Sequence, residues 1–176
     1  MLEVKKEGVV LHKTNLGFEI EGVLNPAVIH YGDFIHIFYR AVGKGNYSSI
    51  GYCKLKSPLE IVERMDRPVI FPQFDYEQHG IEDPRIVHID DTFYLSYCAF
   101  DGVNALGALA TSKDLITWQK HGIIVPQMSY YEFRRLAEIK GKINEKYLRY
   151  NIHESVKEID GKKVLVWDKN VIFFPR

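Results

Sequence analysis

The sequence predicts an all-β protein made of repeated four-stranded units, and three features of its 176 residues indicate this class. A gapless internal repeat aligns NPAVIHYGDFIHIFYRA, residues 25–41, with DPRIVHIDDTFYLSYCA, residues 83–99. Apolar runs separated by Gly-Asp or Asp-Asp turns recur at short intervals, as antiparallel hairpins require. A hydrophobic fraction of 46%, with 13% aromatic residues, is sufficient for a packed core.

Each copy of the repeat contains two strands and is followed by two further strand candidates. The third strands are SSIGYCKL and ALGALATS, and the fourth are LEIVERMDRPVI and LITWQKHGIIV. Four short antiparallel strands per unit form one blade of a β-propeller, which is therefore the predicted architecture. A two-sheet sandwich of duplicated hairpins satisfies the same pattern and is the alternative.

The repeat also predicts the organisation of the chain as a single partial propeller domain. The predicted segments are unit 1 at about 22–79, unit 2 at about 80–127, a helical insertion at about 128–161 and the start of unit 3 at about 162–176. The insertion contains a helix signal, with Ser129 as N-cap, Glu132 at the capping-box position and Gly141 as the stop. About three blades do not close a ring, so we expect self-association or a companion chain that completes the propeller.

Composition excludes several classes of partner. Lys plus Arg and Asp plus Glu both number 23, so the net charge is zero and neither nucleic acid nor an anionic membrane surface is an expected partner. The N-terminal residues lack the apolar core of a signal peptide, and a cytoplasmic protein is expected. Cys53 and Cys98 lie in apolar alternating runs, which predicts buried thiols. The nucleotide-binding motifs GxGxxG and Walker A and the metal-binding motifs CxxC and HExxH do not occur in the sequence. No cofactor and no metal are therefore predicted.

Asn25 and Asp83 occupy the same position in the two copies, at the start of the innermost strand of each unit. In a propeller these starts converge around the central channel, which makes both residues candidates for a site. Each precedes a proline, which predicts an extended backbone and a fixed side-chain direction. The alternative is that Asn-Pro and Asp-Pro only open turns.

The cluster GIEDPRI adds Glu82 and Arg85 to Asp83. Strand alternation predicts that Glu82 and Asp83 point to opposite faces and that Asp83 and Arg85 share one, so Arg85 could hold a sugar hydroxyl or a carboxylate beside the acid. Glycoside cleavage requires one carboxylic acid to protonate the leaving oxygen and a second group to introduce the nucleophile. Asp83 can be the acid, and the sequence offers no convincing second group.

Further polar residues lie at the ends of the second and third strands of unit 1. Arg40 stands where the second copy has Cys98, and this asymmetry favours a functional arginine. The loop GKGNYSSIG contributes Asn46, Tyr47 and Ser48 as candidate sugar ligands, although an ordinary Gly-rich turn explains them equally well.

The segments NPAV, YRA, GIEDPRI, SKDLITW and DKNVIFFPR together resemble glycoside hydrolase family 130, the β-mannoside phosphorylases and β-1,2-mannosidases, over the N-terminal half of its members. GIEDPR is the most specific of these motifs. The resemblance implies a five-bladed propeller that acts on β-linked mannosides by an inverting route. It implies that Asp83 is the proton donor, that Asn25, Arg40 and Arg85 line the mannose subsite, and that Lys169 lies close to the substrate.

Members of that family are longer than this chain, and their remaining part carries the second catalytic group. In the phosphorylases, that part binds inorganic phosphate through His and Arg; in the mannosidases, it supplies a glutamate base. The insertion and DKNVIFFPR resemble the β-1,2-mannosidase branch more than the phosphorylases. Two alternatives are a non-catalytic half-propeller that binds sugar or a partner protein, and a five-bladed fructan or arabinan hydrolase. The second is disfavoured because Asn25 replaces the early aspartate that such enzymes need.

Overall fold

Two four-stranded antiparallel sheets form most of the protein in the computed structural model, which describes residues 5–141 and 157–174. In both sheets the strands follow one another in chain order. The first sheet contains β1 (Gly22–Tyr31), β2 (Phe34–Gly43), β3 (Tyr47–Ser57) and β4 (Glu60–Arg64). The second contains β5 (Ile81–Ile89), β6 (Thr92–Phe100), β7 (Ala105–Ser112) and β8 (Gln119–Ile123). The predicted all-β class is confirmed, and the described sheets do not close a ring.

The insertion after β8 begins with the predicted helix. Helix α1 spans Tyr130–Lys140, and the Ser129 hydroxyl and the Glu132 carboxylate form the expected capping box. A small hairpin of β9 (Glu158–Ile159) and β10 (Lys162–Lys163) follows. The rest of the insertion, residues 142–156, lies outside the described residues. Among the described residues, no helix is long and apolar enough to cross a membrane.

The two sheets pack face to face through one shared core. Alternate side chains of the central strands point into it, as the period of a β-strand requires. The first sheet contributes Phe38 and Tyr52, and the second contributes Leu95 and Tyr97, all of them buried. Trp118 closes the edge of this core with its ring 5.4 Å from Phe38, edge to face. Burial of these aromatic side chains holds the sheets in one orientation.

The chain enters the second sheet by pairing with the first. Gly80 forms an isolated parallel bridge with Ser48 of β3. A side chain at Gly80 would place its Cβ 2.8 Å from the Ser48 nitrogen, and the φ of +122° also favours glycine. A second parallel bridge joins Asp168 to Leu106 of β7. The chain after β10 therefore pairs with the third strand of the second sheet, as the chain before β5 pairs with the third strand of the first.

A buried carboxylate links the strands of the second sheet. Glu77 is fully buried; its Oε1 accepts a hydrogen bond from the Tyr97 hydroxyl at 2.7 Å, and its Oε2 pairs with the Lys120 ammonium at 2.6 Å. The same oxygen accepts from the backbone nitrogen of Gln73. Burial lowers the pKa of Lys120, although Glu77 favours the charged ammonium.

The first sheet contains the same arrangement. Glu19 is fully buried and accepts hydrogen bonds from the Tyr39 hydroxyl and the Arg64 guanidinium, each at 2.8 Å. The carboxylate, the tyrosine and the cation come from equivalent positions in the two units. The internal repeat therefore extends to a buried ion pair that the sequence comparison missed.

The SKDLITW motif forms a tight turn between β7 and β8. The Asp114 carboxylate accepts hydrogen bonds from the backbone nitrogens of Ile116 (2.9 Å) and Thr117 (2.7 Å). These bonds lower the pKa of Asp114 to about 2. The stability that the turn gains from them is complete above the ordinary carboxyl pKa and is lost as the pH falls through about 2. The role of this motif is structural.

Replacing Glu77 with glutamine should destabilise the protein by about 3 kcal/mol, because Lys120 would lose its counter-ion while its side chain stays only 6% exposed. Urea denaturation measures the change in the free energy of unfolding. The matched control is Glu7→Gln in the exposed pair with Lys5, where the loss should stay below about 0.5 kcal/mol. Equal, small losses in both variants would contradict the assigned role of Glu77.

Candidate active site

Asn25 and Asp83 meet at the starts of β1 and β5. The Asn25 side-chain nitrogen donates a hydrogen bond of 2.6 Å to Oδ1 of Asp83. No described residue donates a hydrogen bond to Oδ2 of Asp83, the second oxygen of this carboxyl group. The two equivalent positions of the repeat thus form one polar contact at the same end of both sheets.

The backbone at these two residues differs from the sequence prediction. Asn25 has a φ of +43° and Asp83 a φ of +50°, so the extended conformation expected before proline is wrong. The physical reason is a bulge in each inner strand, between Leu24 and Ala27 in β1 and between Glu82 and Arg85 in β5. Short polar side chains tolerate this region best, yet each such residue still costs about 1–3 kcal/mol.

The same bulge overturns the predicted facing of the two carboxylates. The Arg40 guanidinium lies 2.7 Å from Oε1 of Glu82 and 3.9 Å from Oδ1 of Asp83, so the two acids share a side of the strand. An extra residue in a bulge resets the alternation of side chains. The three side chains are 13–15% exposed, which shields them from bulk water but leaves them within reach of a ligand.

Arg40 is held in place by the loop between β2 and β3. Its Nε donates to the Ser48 hydroxyl at 2.8 Å, and one terminal nitrogen donates to the Asn46 carbonyl oxygen at 3.2 Å. Ser48 is buried, whereas the Tyr47 side chain between them is exposed. Asn46 and Ser48 therefore orient the arginine, and Tyr47 is the loop side chain that extends into solvent.

Glu21 supports that loop and was missed by the sequence analysis. Its two carboxylate oxygens accept hydrogen bonds from the backbone nitrogens of Gly45 and Asn46, both at 3.2 Å. The loop forms a short 3₁₀ turn, Lys44–Asn46, in which Gly45 and Asn46 have positive φ. The signal for Glu21 was available, because the repeat places His79 at the equivalent position and so breaks the symmetry, as Arg40 and Cys98 do.

The Arg85 guanidinium contacts the backbone of its own strand. One terminal nitrogen donates to the backbone oxygens of Pro84 (2.8 Å) and Asp83 (3.4 Å). Arg85 therefore lies next to Asp83 without pairing with its carboxylate, and its role at a mannose subsite stays a prediction.

Lys169 directly follows Asp168, which pairs with β7 of the second sheet at the level of Glu82. The Asp168 backbone oxygen accepts a hydrogen bond from the Gly107 nitrogen at 2.7 Å. Gly107 of β7 pairs with Cys98 of β6, and Cys98 pairs with Glu82 of β5. Burial raises the pKa of the Cys98 thiol to about 12, and the nearby Glu82 carboxylate adds to this effect. The thiol therefore stays protonated and is a poor nucleophile.

Metal binding does not account for this cluster. Within residues 5–141 and 157–174, no group of three or more His, Cys, Asp and Glu side chains is arranged to hold a metal ion. Its chemistry is that of two carboxylates, an amide and a guanidinium, which can donate or accept protons and bind hydroxyl groups.

Glycoside-cleaving enzymes use carboxylic acids set among hydroxyl-binding side chains, and this site combines groups of both kinds on repeated β-sheets. The chain belongs to glycoside hydrolase family 130, since residues 6–171 match the family described as beta-1,4-mannooligosaccharide phosphorylase. The family resemblance of the sequence is thereby confirmed.

Individual relatives support the same family. The chain is 33% identical over 150 residues to a beta-1,2-mannobiose phosphorylase of Thermoanaerobacter sp. (strain X514), covering 76% of this chain and 48% of that protein. A 1,2-beta-oligomannan phosphorylase of the same organism is 31% identical over 163 residues, covering 84% and 53%. A crystal structure of a glycosyl hydrolase from Bacteroides ovatus aligns with a TM-score of 0.61 at 26% identity, covering 65% and 38%. The chain spans about half the length of the two phosphorylases.

Replacing Glu21 with alanine should loosen the loop that holds Arg40. Loss of the two hydrogen bonds should speed amide exchange at Gly45 and Asn46 about fivefold, which corresponds to about 1 kcal/mol of local stability. Hydrogen exchange followed by NMR measures this change, and the Arg40 Nε proton should exchange faster in the same spectra. Glu60→Ala, at an exposed position in the same sheet, is the control and should leave these protons unchanged. Unchanged exchange in Glu21→Ala would show that the carboxylate does not support the loop.

Proposed function

We propose that this protein is a carbohydrate-active enzyme that cleaves β-linked mannosides by an inverting mechanism, with Asp83 as the proton donor. The observation that carries the proposal is the Asp83 carboxyl at the start of β5, oriented by Asn25 through Oδ1, with Oδ2 accepting no hydrogen bond from a described residue. A general acid needs this combination of a fixed direction and a free oxygen.

The proposed reaction has one displacement step. An oxygen nucleophile attacks the anomeric carbon of the mannose unit from the face opposite the bond that breaks, so the configuration inverts. The electron pair of the breaking bond moves to the glycosidic oxygen. Asp83 supplies the proton that this oxygen takes up, directly or through a mannose hydroxyl, and the leaving sugar departs as an alcohol. Arg40 and Asn25 offer donors for the mannose hydroxyls.

The names of the relatives support β-1,2-linked mannosides as substrates and phosphate as the nucleophile. Both relatives from Thermoanaerobacter are phosphorylases of β-1,2-linked substrates. The sequence resemblance to the β-1,2-mannosidase branch favours the same linkage with water as the nucleophile. The linkage is therefore the shared element of the proposal, and the choice between phosphate and water is decided by experiment.

A complete five-bladed propeller is part of this proposal. The support is that the chain pairs at Asp168 with the third strand of the second sheet, as it pairs at Gly80 with the third strand of the first. Successive units related in this way build a ring of blades. Further blades, from the same protein or a companion chain, would supply the group that introduces the nucleophile.

Asp83→Asn keeps the size of the side chain but removes the acidic proton, so turnover should fall about 10²–10⁴-fold. The assay uses β-1,2- and β-1,4-mannobiose, each with and without inorganic phosphate, and NMR identifies the anomer of the first product. An inverting phosphorylase releases the α-phosphate of mannose, and an inverting hydrolase releases α-mannose. Turnover that needs phosphate indicates the phosphorylase.

Asp90→Asn is the matched control, because Asp90 follows β5 at its far end, also has a positive φ and is exposed. It should retain near-full turnover. Glu82→Gln is unsuitable as a control, since Glu82 pairs with Arg40. Near-full turnover of Asp83→Asn on every mannoside tried would overturn the assignment of the acid.

A further inference from the structure

Trp167 presents an indole that is largely in solvent. The residue is 52% exposed, and its ring nitrogen already donates to the Val103 backbone oxygen at 3.0 Å. The exposed remainder is therefore apolar ring surface with no hydrogen-bonding group of its own. Exposed aromatic surface next to a polar site is a common feature of binding sites.

The position of Trp167 relative to the carboxylates follows from the strand register. Glu82 pairs with Cys98, Cys98 pairs with Gly107, and Gly107 hydrogen-bonds to Asp168. Asp168 therefore lies at the level of Glu82. Further along β5 from its start, Arg85 pairs with Ser96, and the Ser96 hydroxyl donates a hydrogen bond to the Val171 backbone oxygen. The segment containing Asp168 thus runs in the same direction as β5, paired with β7 at Leu106 and hydrogen-bonded to β6 at Ser96.

Trp167 precedes Asp168 by one residue, so it lies nearer the end of the sheet at which β5 starts. Its ring packs edge to face against Phe100, with the centroids 6.4 Å apart. Phe100 hydrogen-bonds through its backbone nitrogen to the Gly80 oxygen, two residues before Glu82 along the chain. Two residues of strand correspond to about 7 Å, so the indole lies roughly that far outside the level of the carboxylates.

We propose that Trp167 is a sugar-stacking platform that binds a mannose unit beyond those next to Asp83. This inference rests on the proposed function. The chemistry suits a pyranose, whose ring carbons present an apolar face that packs against an indole while its hydroxyls remain in water. Phe100 and Val103 hold the indole before the sugar arrives, so little conformational entropy is lost on binding. The platform selects oligosaccharides longer than a disaccharide.

Sugar binding is measured by calorimetry with β-1,2-linked mannooligosaccharides of two, three and four units, in an Asp83→Asn background that prevents turnover. Trp167→Ala should weaken binding of the longest oligosaccharide about tenfold and leave the disaccharide nearly unchanged. Trp167→Phe retains an aromatic face and should restore most of the affinity. The protein has two tryptophans, and Trp118 is packed on Phe38, so a shift of the emission with the longer sugars reports on Trp167.

Three outcomes would count against the platform. Equal affinities of Trp167→Ala and its parent for every chain length would overturn the platform while leaving the proposed function standing. An equal loss for the disaccharide and the longer sugars in both Trp167 variants would also overturn it, because the residue would then support the whole site. If the parent binds no β-mannoside of any length or linkage, the proposed function itself fails, and the platform fails with it.

Discussion

Each four-stranded sheet depends on one buried ion pair, formed by a glutamate that precedes its first strand. Glu19 and Glu77 have no exposed surface, and an unpaired charge in such a position costs several kcal/mol. Each sheet therefore assembles around its acid, with a tyrosine from the second strand and a cation from the fourth. Glu19 precedes Asn25 by the same interval as Glu77 precedes Asp83, so the network also fixes the chain just before each site residue.

The site arises where two similar backbones carry different side chains. Both inner strands bulge at the same place and hold a residue with positive φ, so Asn25 and Asp83 reach each other across the sheets. The first unit supplies an amide and a guanidinium at this end, and the second supplies carboxylates. A symmetric repeat would place like groups together. Different residues at equivalent positions bring the Asn25 amide to the Asp83 carboxylate. The polar site therefore results from the differences between the two units and not from their symmetry.

The sequence predicted the sheets well because the repeat reports on strands and turns. The third strand of the second unit was predicted as ALGALATS, and β7 spans the same residues. The opposite facing of Glu82 and Asp83 was predicted wrongly, because side chains do not alternate regularly at a bulge. Nothing in the local sequence GIEDPRI indicates that a bulge occurs there. The bonds from the Arg85 guanidinium to its own backbone were not predictable for the same reason. Glu77 and Lys120 were missed because such a pair depends on tertiary packing, although extending the repeat upstream would have matched Glu77 with Glu19.

Arg40 explains how two adjacent carboxylates can serve different purposes. It lies 2.7 Å from Glu82 but 3.9 Å from Asp83, so its charge mainly compensates Glu82. Asp83 is oriented instead by the neutral amide of Asn25. An amide donor bonds to Oδ1 whether or not Oδ2 carries a proton, so the orientation of Asp83 survives both halves of a proton transfer. A close arginine would suit only the ionised carboxylate. The division of partners between Glu82 and Asp83 therefore supports the proposal that Asp83 donates the proton, while Glu82 pairs with Arg40.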